Sequence, residues 1–223
     1  MSKKVFIGVG HGGSDPGAVA NGFKEADLNL AIALACQSEL IRHGVSVQMS
    51  RTKDENDDLT QEIKECNAFN PDFAIDIHNN AGGGDGAEIY HGHADKRDDI
   101  LAANVLAAIQ AIGQNSRGLK TRKNSSGGDY YGFIRQINAP SIIVECAFVD
   151  NKKDIQIIDT AAEQKAMGVA IAKGILKTLG ITYKEQASAN TLWRVQVGAY
   201  SVRDNAIAMQ KKLKSAGFDA IIV

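Results

Sequence analysis

The 223-residue chain is poor in the features that mark out special classes of protein. It has three cysteines, three prolines and one tryptophan, and its formal net charge is only -1. Cys36, Cys66 and Cys146 are an odd set, widely spaced and without a CxxC pair. That excludes a disulfide scaffold, a zinc ribbon and a thioredoxin motif, and leaves buried free thiols in a reducing compartment. No apolar, uncharged stretch reaches about 18 residues, so no transmembrane helix is expected. The near balance of charge argues against bulk electrostatic binding to nucleic acid or to a membrane. A composition 44% hydrophobic and 23% charged is that of a globular protein, not of a disordered tail or a collagen-like repeat. Lys3 and Lys4 before the apolar run Val5–Gly10 have the outline of a secretory signal. The run is short and lacks a small-residue cleavage site, so it reads as a buried first strand and the chain as made in the cytoplasm without export.

What is there is an alternation of strand-like and helix-like segments. Strands are expected over 5–10, 45–50, 73–77, 87–90 and 141–146. Helices are expected over 26–43, where Leu28, Ile32, Ala35 and Leu40 share a face, over 59–69, from Leu101 to Ile112, and late in 151–179. Residues 133–137 suit a short helix or turn. The cluster Gly82-Gly83-Gly84-Asp85-Gly86 reads as a mobile loop, and the polar 115–131 as a surface loop. This order predicts an α/β fold with a mostly parallel sheet between helices. Such sheets place their sites at the C-terminal ends of strands, where His11, His78 and Glu145 all fall.

The composition changes after Gly180. Residues 1–180 form the first expected domain, 181–190 a polar linker, and 191–223 a small βαβ fragment with strands over 192–200 and 218–223 around a helix bearing Ala206, Met209 and Leu213. The first domain carries 19 Lys/Arg against 23 Asp/Glu, and the last 33 residues five against two, as a catalytic module and a targeting module would. A unit so small buries little surface, so the fragment is expected to complete its sheet with further chain or another molecule.

Two imidazoles and a carboxylate make an open zinc site whose fourth position is left for water. His11, Glu25 and His78 supply that set, and Glu145, an acid in an otherwise apolar strand, is a candidate proton acceptor. Each residue alone has an ordinary reading: a structural histidine, an acid favoured by a helix start, a salt-bridged core glutamate. Their intervals of 14, 53 and 67 residues form no short metal motif, and HExxH is absent. His91 and His93 could bind a metal or form a solvated pair, and His43 beside Gly44 sits where a helix end favours a cation.

The words around these residues are more specific. Gly10-His11-Gly12-Gly13-Ser14-Asp15-Pro16-Gly17, then Gly22-Phe23-Lys24-Glu25-Ala26-Asp27-Leu28, then Asp76-Ile77-His78-Asn79-Asn80-Ala81, then Val144-Glu145-Cys146-Ala147-Phe148-Val149-Asp150-Asn151 resemble, in order, four segments of the zinc-dependent N-acetylmuramoyl-L-alanine amidases of type 3. The resemblance spans residues 4–180. It implies a twisted six-stranded sheet flanked by helices, Zn2+ held by His11, Glu25 and His78, Glu145 as catalytic glutamate, and peptidoglycan as substrate, cut between the muramic acid lactyl group and the first L-alanine. Ala147 stands where the family has glycine. Asp76 stands where it has serine, and strand alternation puts Asp76 on the face of His78, where it can orient that ring or be an unrelated neighbour. Asn80 can bond substrate or shape the turn. Trp193-Arg194-Val195-Gln196-Val197-Gly198-Ala199-Tyr200 and Leu213-Lys214-Ser215-Ala216-Gly217-Phe218 resemble the first half of a sporulation-related (SPOR) repeat, a peptidoglycan-binding domain.

The resemblance implies a cell-wall amidase released by mother-cell lysis or by a phage-type route. A zinc peptidase cutting within the stem peptide is the alternative enzyme. A non-catalytic peptidoglycan-binding protein is the alternative of a different class, disfavoured because all four site residues are present.

Overall fold

The computed structural model describes residues 2–93, 96–186 and 196–222. It divides into two units, Met1–Lys184 and Glu185–Val223.

The first unit opens with β1 (Lys4–Val9), a small hairpin of β2 (Val19–Ala20) and β3 (Phe23–Lys24), and helix α1 (Glu25–Arg42). It continues through β4 (Ser46–Met49), α2 (Leu59–Phe69), β5 (Phe73–Asn80), β6 (Ala87–His91), α3 (Lys96–Gln110), β7 (Ser116–Lys120), α4 (Gly132–Gln136), β8 (Ser141–Phe148) and α5 (Ala161–Thr178). Six strands form one sheet in the order β4-β1-β5-β8-β6-β7. All neighbours are parallel except β6 and β8, which run antiparallel. The α/β fold with a mostly parallel six-stranded sheet is therefore present, and Val5–Val9 is fully buried within it.

Burial on both faces explains why the central strands are continuous apolar runs. On one face α1, α3 and α5 cover a core that includes Ile7, Ile32, Ile75, Val105, Val144 and Ile171. On the other, α2 and α4 cover a smaller cluster of Phe6, Ile63, Cys66, Ala74, Phe133 and Ile143. Helix starts follow local chemistry. The Asp58 side chain accepts from the backbone N–H groups of Thr60 and Gln61, and Thr160 forms a reciprocal capping box with Glu163. The three cysteines are free and buried.

Four places add to or correct the sequence-based expectations. Residues 116–120 are not loop but the edge strand β7, whose side chains are mostly exposed. An edge strand needs no apolar run, so its sequence hides it. The hairpin β2–β3 is too short to show a pattern. The glycine-rich segment 81–86 is pinned: Asp150 Oδ2 accepts from the N–H groups of Gly82 and Gly83, Asp154 accepts from Gly86, and Asn151 donates to the Gly84 carbonyl. Finally, His43 donates through Nδ1 to the Glu39 carbonyl and accepts at Nε2 from the Lys184 N–H. Both ring nitrogens are thus engaged by the backbone.

In the second unit the described residues form one helix, α6 (Arg203–Ser215), with no buried side chain. Residues 218–222 take no strand conformation. Of the expected strand over 192–200, residues 196–200 take no strand conformation either, while 192–195 lie outside the described residues, as do 187–190 of the expected linker.

Candidate active site

Three segments deliver three side chains to one end of the sheet. His11 follows β1 in a left-handed conformation (φ 63°), and the turn closes through paired backbone hydrogen bonds between Gly12 and Asp15. A non-glycine residue is rarely held so, and such strain collects at functional positions. Glu25 opens α1, and His78 lies near the end of β5. The ring of His78 lies directly over Gly10, where any Cβ would overlap it. That close approach is what the glycine permits.

The three residues converge on one carboxylate oxygen. Glu25 Oε1 is 3.3 Å from His11 Nε2 and 3.1 Å from His78 Nδ1, and also accepts from the Asn79 N–H. Glu25 Oε2 accepts from the Ala18 N–H. One donor atom from each side chain lies within 4.8 Å of the others. The remaining ring nitrogens face carboxylates: His11 Nδ1 is 2.8 Å from Asp15 Oδ2, and His78 Nε2 is 3.2 Å from Asp76 Oδ2. Two imidazoles and a carboxylate, with each outer ring nitrogen engaged, are the donor set of an open zinc site. These residues fit the metal.

Electrostatics agree. Hydrogen bonding to Glu25 raises the pKa of His11 despite partial burial. Burial opposes charge on His78, but Asp76 and Glu25 raise its pKa well above the usual imidazole value. Burial likewise opposes ionisation of Glu25, yet hydrogen bonds from His11 and His78 hold its pKa far below the usual carboxylate range. The Glu25 carboxylate charge is thus stabilised between two imidazoles, in the place a dication would take.

Glu145 stands beside His78 in the β5–β8 register. Its Oε2 is buried without a hydrogen-bond partner, and burial pushes its pKa up to about 7. A cleft of about 250 Å³ runs past both residues. Its apolar wall is Leu59, Tyr131, Phe133 and Ile143, and its polar wall is His11, Asp57, Glu62, Asp76, His78 and Glu145. His11, His78 and Glu145 line this cleft, and Glu25 lies at its end in contact with both histidines. Asn80 bonds Glu88 and the Ala81 N–H and so shapes the turn. His91 and His93 stay apart from the site, facing Asp99 and Asp129.

The sequence reading missed the scaffold behind the ligands. Arg51, only 2% exposed, donates to the carbonyls of Val9, Gly10, Ala26 and Lys53. Asn29 donates to the Gly10 carbonyl, and Asn79 donates to Asn29. This network ties the backbones flanking His11, Glu25 and His78. An arginine just past β4 was the one visible signal.

Comparison with known proteins places this geometry. The N-acetylmuramoyl-L-alanine amidase family matches residues 5–177, and the SPOR domain matches residues 171–223. The chain is 33% identical over 227 residues to N-acetylmuramoyl-L-alanine amidase CwlM of Bacillus licheniformis, covering 99% of this chain and 84% of that one. It is 32% identical over 224 residues to the sporulation-specific N-acetylmuramoyl-L-alanine amidase of Bacillus subtilis, with the same coverage. The solved structure of N-acetylmuramoyl-L-alanine amidase AmiC2 of Nostoc punctiforme superposes with a TM-score of 0.72 at 29% identity, covering 80% of this chain and 97% of that one. With its sheet, its convergent donors and these matches, the chain belongs to the N-acetylmuramoyl-L-alanine amidase family.

Proposed function

We propose that this peptidoglycan amidase is a zinc enzyme that cuts the amide joining the muramic acid lactyl group to L-alanine. In this reading His11, Glu25 and His78 hold the metal and Glu145 moves the proton. The observation that carries it is the convergence of His11 Nε2, His78 Nδ1 and Glu25 Oε1 beside an unpartnered, buried Glu145 Oε2.

Zinc bound there supplies Lewis acidity toward the scissile carbonyl and toward water. Asp15 and Asp76 hold the outer nitrogens of the two histidines, which keeps the inner ones aimed at the metal position. Glu145 takes the proton of the attacking water at Oε2. It then returns that proton to the departing alanine nitrogen, so the C–N bond breaks to give a carboxylate and a free amine. A pKa raised to about 7 by burial suits a group that must accept and donate near neutrality. Buried Phe133 gives the cleft an apolar wall, with Leu59 and Tyr131 toward its rim.

The role nearest this reading is wall digestion at the end of sporulation, reached by lysis of the producing cell. The SPOR match and the sporulation-specific name of one relative support it. Digestion of purified peptidoglycan, with and without a chelator, tests the reaction by mass spectrometry of the products. Stem peptides beginning with free L-alanine, lost on chelation and restored by zinc, are the expected result. An amine from within the stem peptide would make the enzyme a peptidase, and chelator-resistant cleavage would refute the metal.

A further inference from the structure

Beneath the metal ligands lies a second pair of acids that the reaction does not use. Glu62 Oε1 and Asp76 Oδ1 are both buried without a hydrogen-bond partner. Glu62 comes from α2, Asp76 from β5, and both oxygens crowd the space over Gly8 of β1. A methyl group built on Gly8 would overlap Glu62 Oε1 and come within 2.7 Å of Asp76 Oδ1. Gly8 is paired with Asp76 across the strands, and Gly8 and Gly10 share a face. Gly8 in β1 and Gly10 just after it are thus cleared, one for the acid pair and one for the His78 ring. Buried polar atoms in folded proteins are almost always satisfied, and these two can satisfy each other.

We propose that Glu62 and Asp76 form a buried brace for His78. The Glu62 carboxyl donates one hydrogen bond to Asp76 Oδ1, and Asp76 Oδ2 accepts from His78 Nε2–H, so that Nδ1 is presented to the metal. The two inner oxygens are shut off from water, and neighbouring carboxylates so placed disfavour carrying two charges. Burial, with the charges of Asp76 and Asp57, raises the Glu62 carboxyl well above its usual value. Both acids act through His78 and are positioning residues. The brace rests on the zinc reading above, because it matters only if His78 is a ligand.

The test is zinc affinity, measured by competition with a chromophoric chelator on the full chain. Asp76→Ala should weaken binding about 10- to 100-fold, the usual cost of losing such a partner, and Asp76→Asn less. Glu62→Gln keeps a donor toward Asp76 and should stay within about threefold of the parent. Glu62→Leu, which has no donor, should lose more than Glu62→Gln. In cobalt-loaded protein the visible spectrum should shift in Asp76→Ala and not in Glu62→Gln, a signature that loss of stability alone does not produce. Thermal melts identify any variant that fails to fold, and the Glu62→Gln and Asp76→Asn pair preserves shape. Glu62→Gln as weak as Glu62→Leu would overturn the brace. So would a second equivalent of zinc lost on Glu62→Gln, which would make the acid pair a cation site. If His78→Ala binds zinc like the parent, the zinc reading itself fails.

Discussion

Replacing Arg51 by alanine removes a buried cation whose four hydrogen bonds all go to backbone carbonyls. The Gly10 carbonyl keeps its bond from Asn29. The carbonyls of Val9, Ala26 and Lys53 lose the guanidinium. A hydrogen bond to a charged group contributes about 1.5 kcal/mol at the low end, so the three lost bonds cost about 4.5 kcal/mol. For a unit of this size each kcal/mol shifts the melting temperature by about 2–4 °C, which gives a fall of about 9–18 °C. Lysine restores charge but not the planar fork, and Arg51→Lys should recover only part of it. Melts should be run in chelator, so that metal binding adds nothing to either protein. Zinc affinity should fall alongside stability, because Gly10 precedes His11 and Ala26 follows Glu25. An Arg51→Ala protein that melts within about 2 °C of the parent would refute the claim that this cation organises the site.

Glu145→Gln should retain zinc, measured by metal analysis, while hydrolysis falls about 10²- to 10⁴-fold, the range for losing a general acid–base. Zinc affinity should fall from pH 8 to pH 6, read by chelator competition, because His11 and His78 must shed protons to bind metal and their pKa values are raised without it. The sign for the metal-free protein is opposite to that for loading. Stability from the protonated histidines is present below about pH 6.5 and is lost as pH rises through their raised folded values, so chelated enzyme should melt lower at pH 8 than at pH 6. Gly10→Ala should displace the His78 ring and weaken zinc binding with little change in the far-ultraviolet circular dichroism spectrum.

Much of this fold was legible because buried parallel strands announce themselves. Val5–Val9, Phe73–Ile77 and Ile142–Val144 are apolar runs that can lie only inside a sheet. The candidate ligands were legible as words, His11 among glycines and His78 at a strand end. Their convergence was not, since 53 residues of sheet topology separate Glu25 from His78. Strand β7 escaped notice because Ser116, Arg117 and Leu119 are exposed on an edge. Arg51 and Glu62 escaped because charged residues in a sequence read as surface; only tertiary structure shows what they face. The glycine cluster was misread for a related reason, its fixing bonds coming from Asp150, Asn151 and Asp154, more than 60 residues away.

That pinned segment has a consequence through the strand order. β5 and β6 are consecutive in sequence but flank β8, so residues 81–86 must step across the end of the strand that carries Glu145. The step covers two strand spacings, about 9.6 Å, and Gly84 passes directly over the ring of Phe148. Six residues could reach about 20 Å if fully extended; the excess is used in climbing over that ring. The segment therefore works as a fixed strap rather than a lid. Its length is set by sheet geometry, and deletions within it would drag β6 away from β8 before they widened any opening.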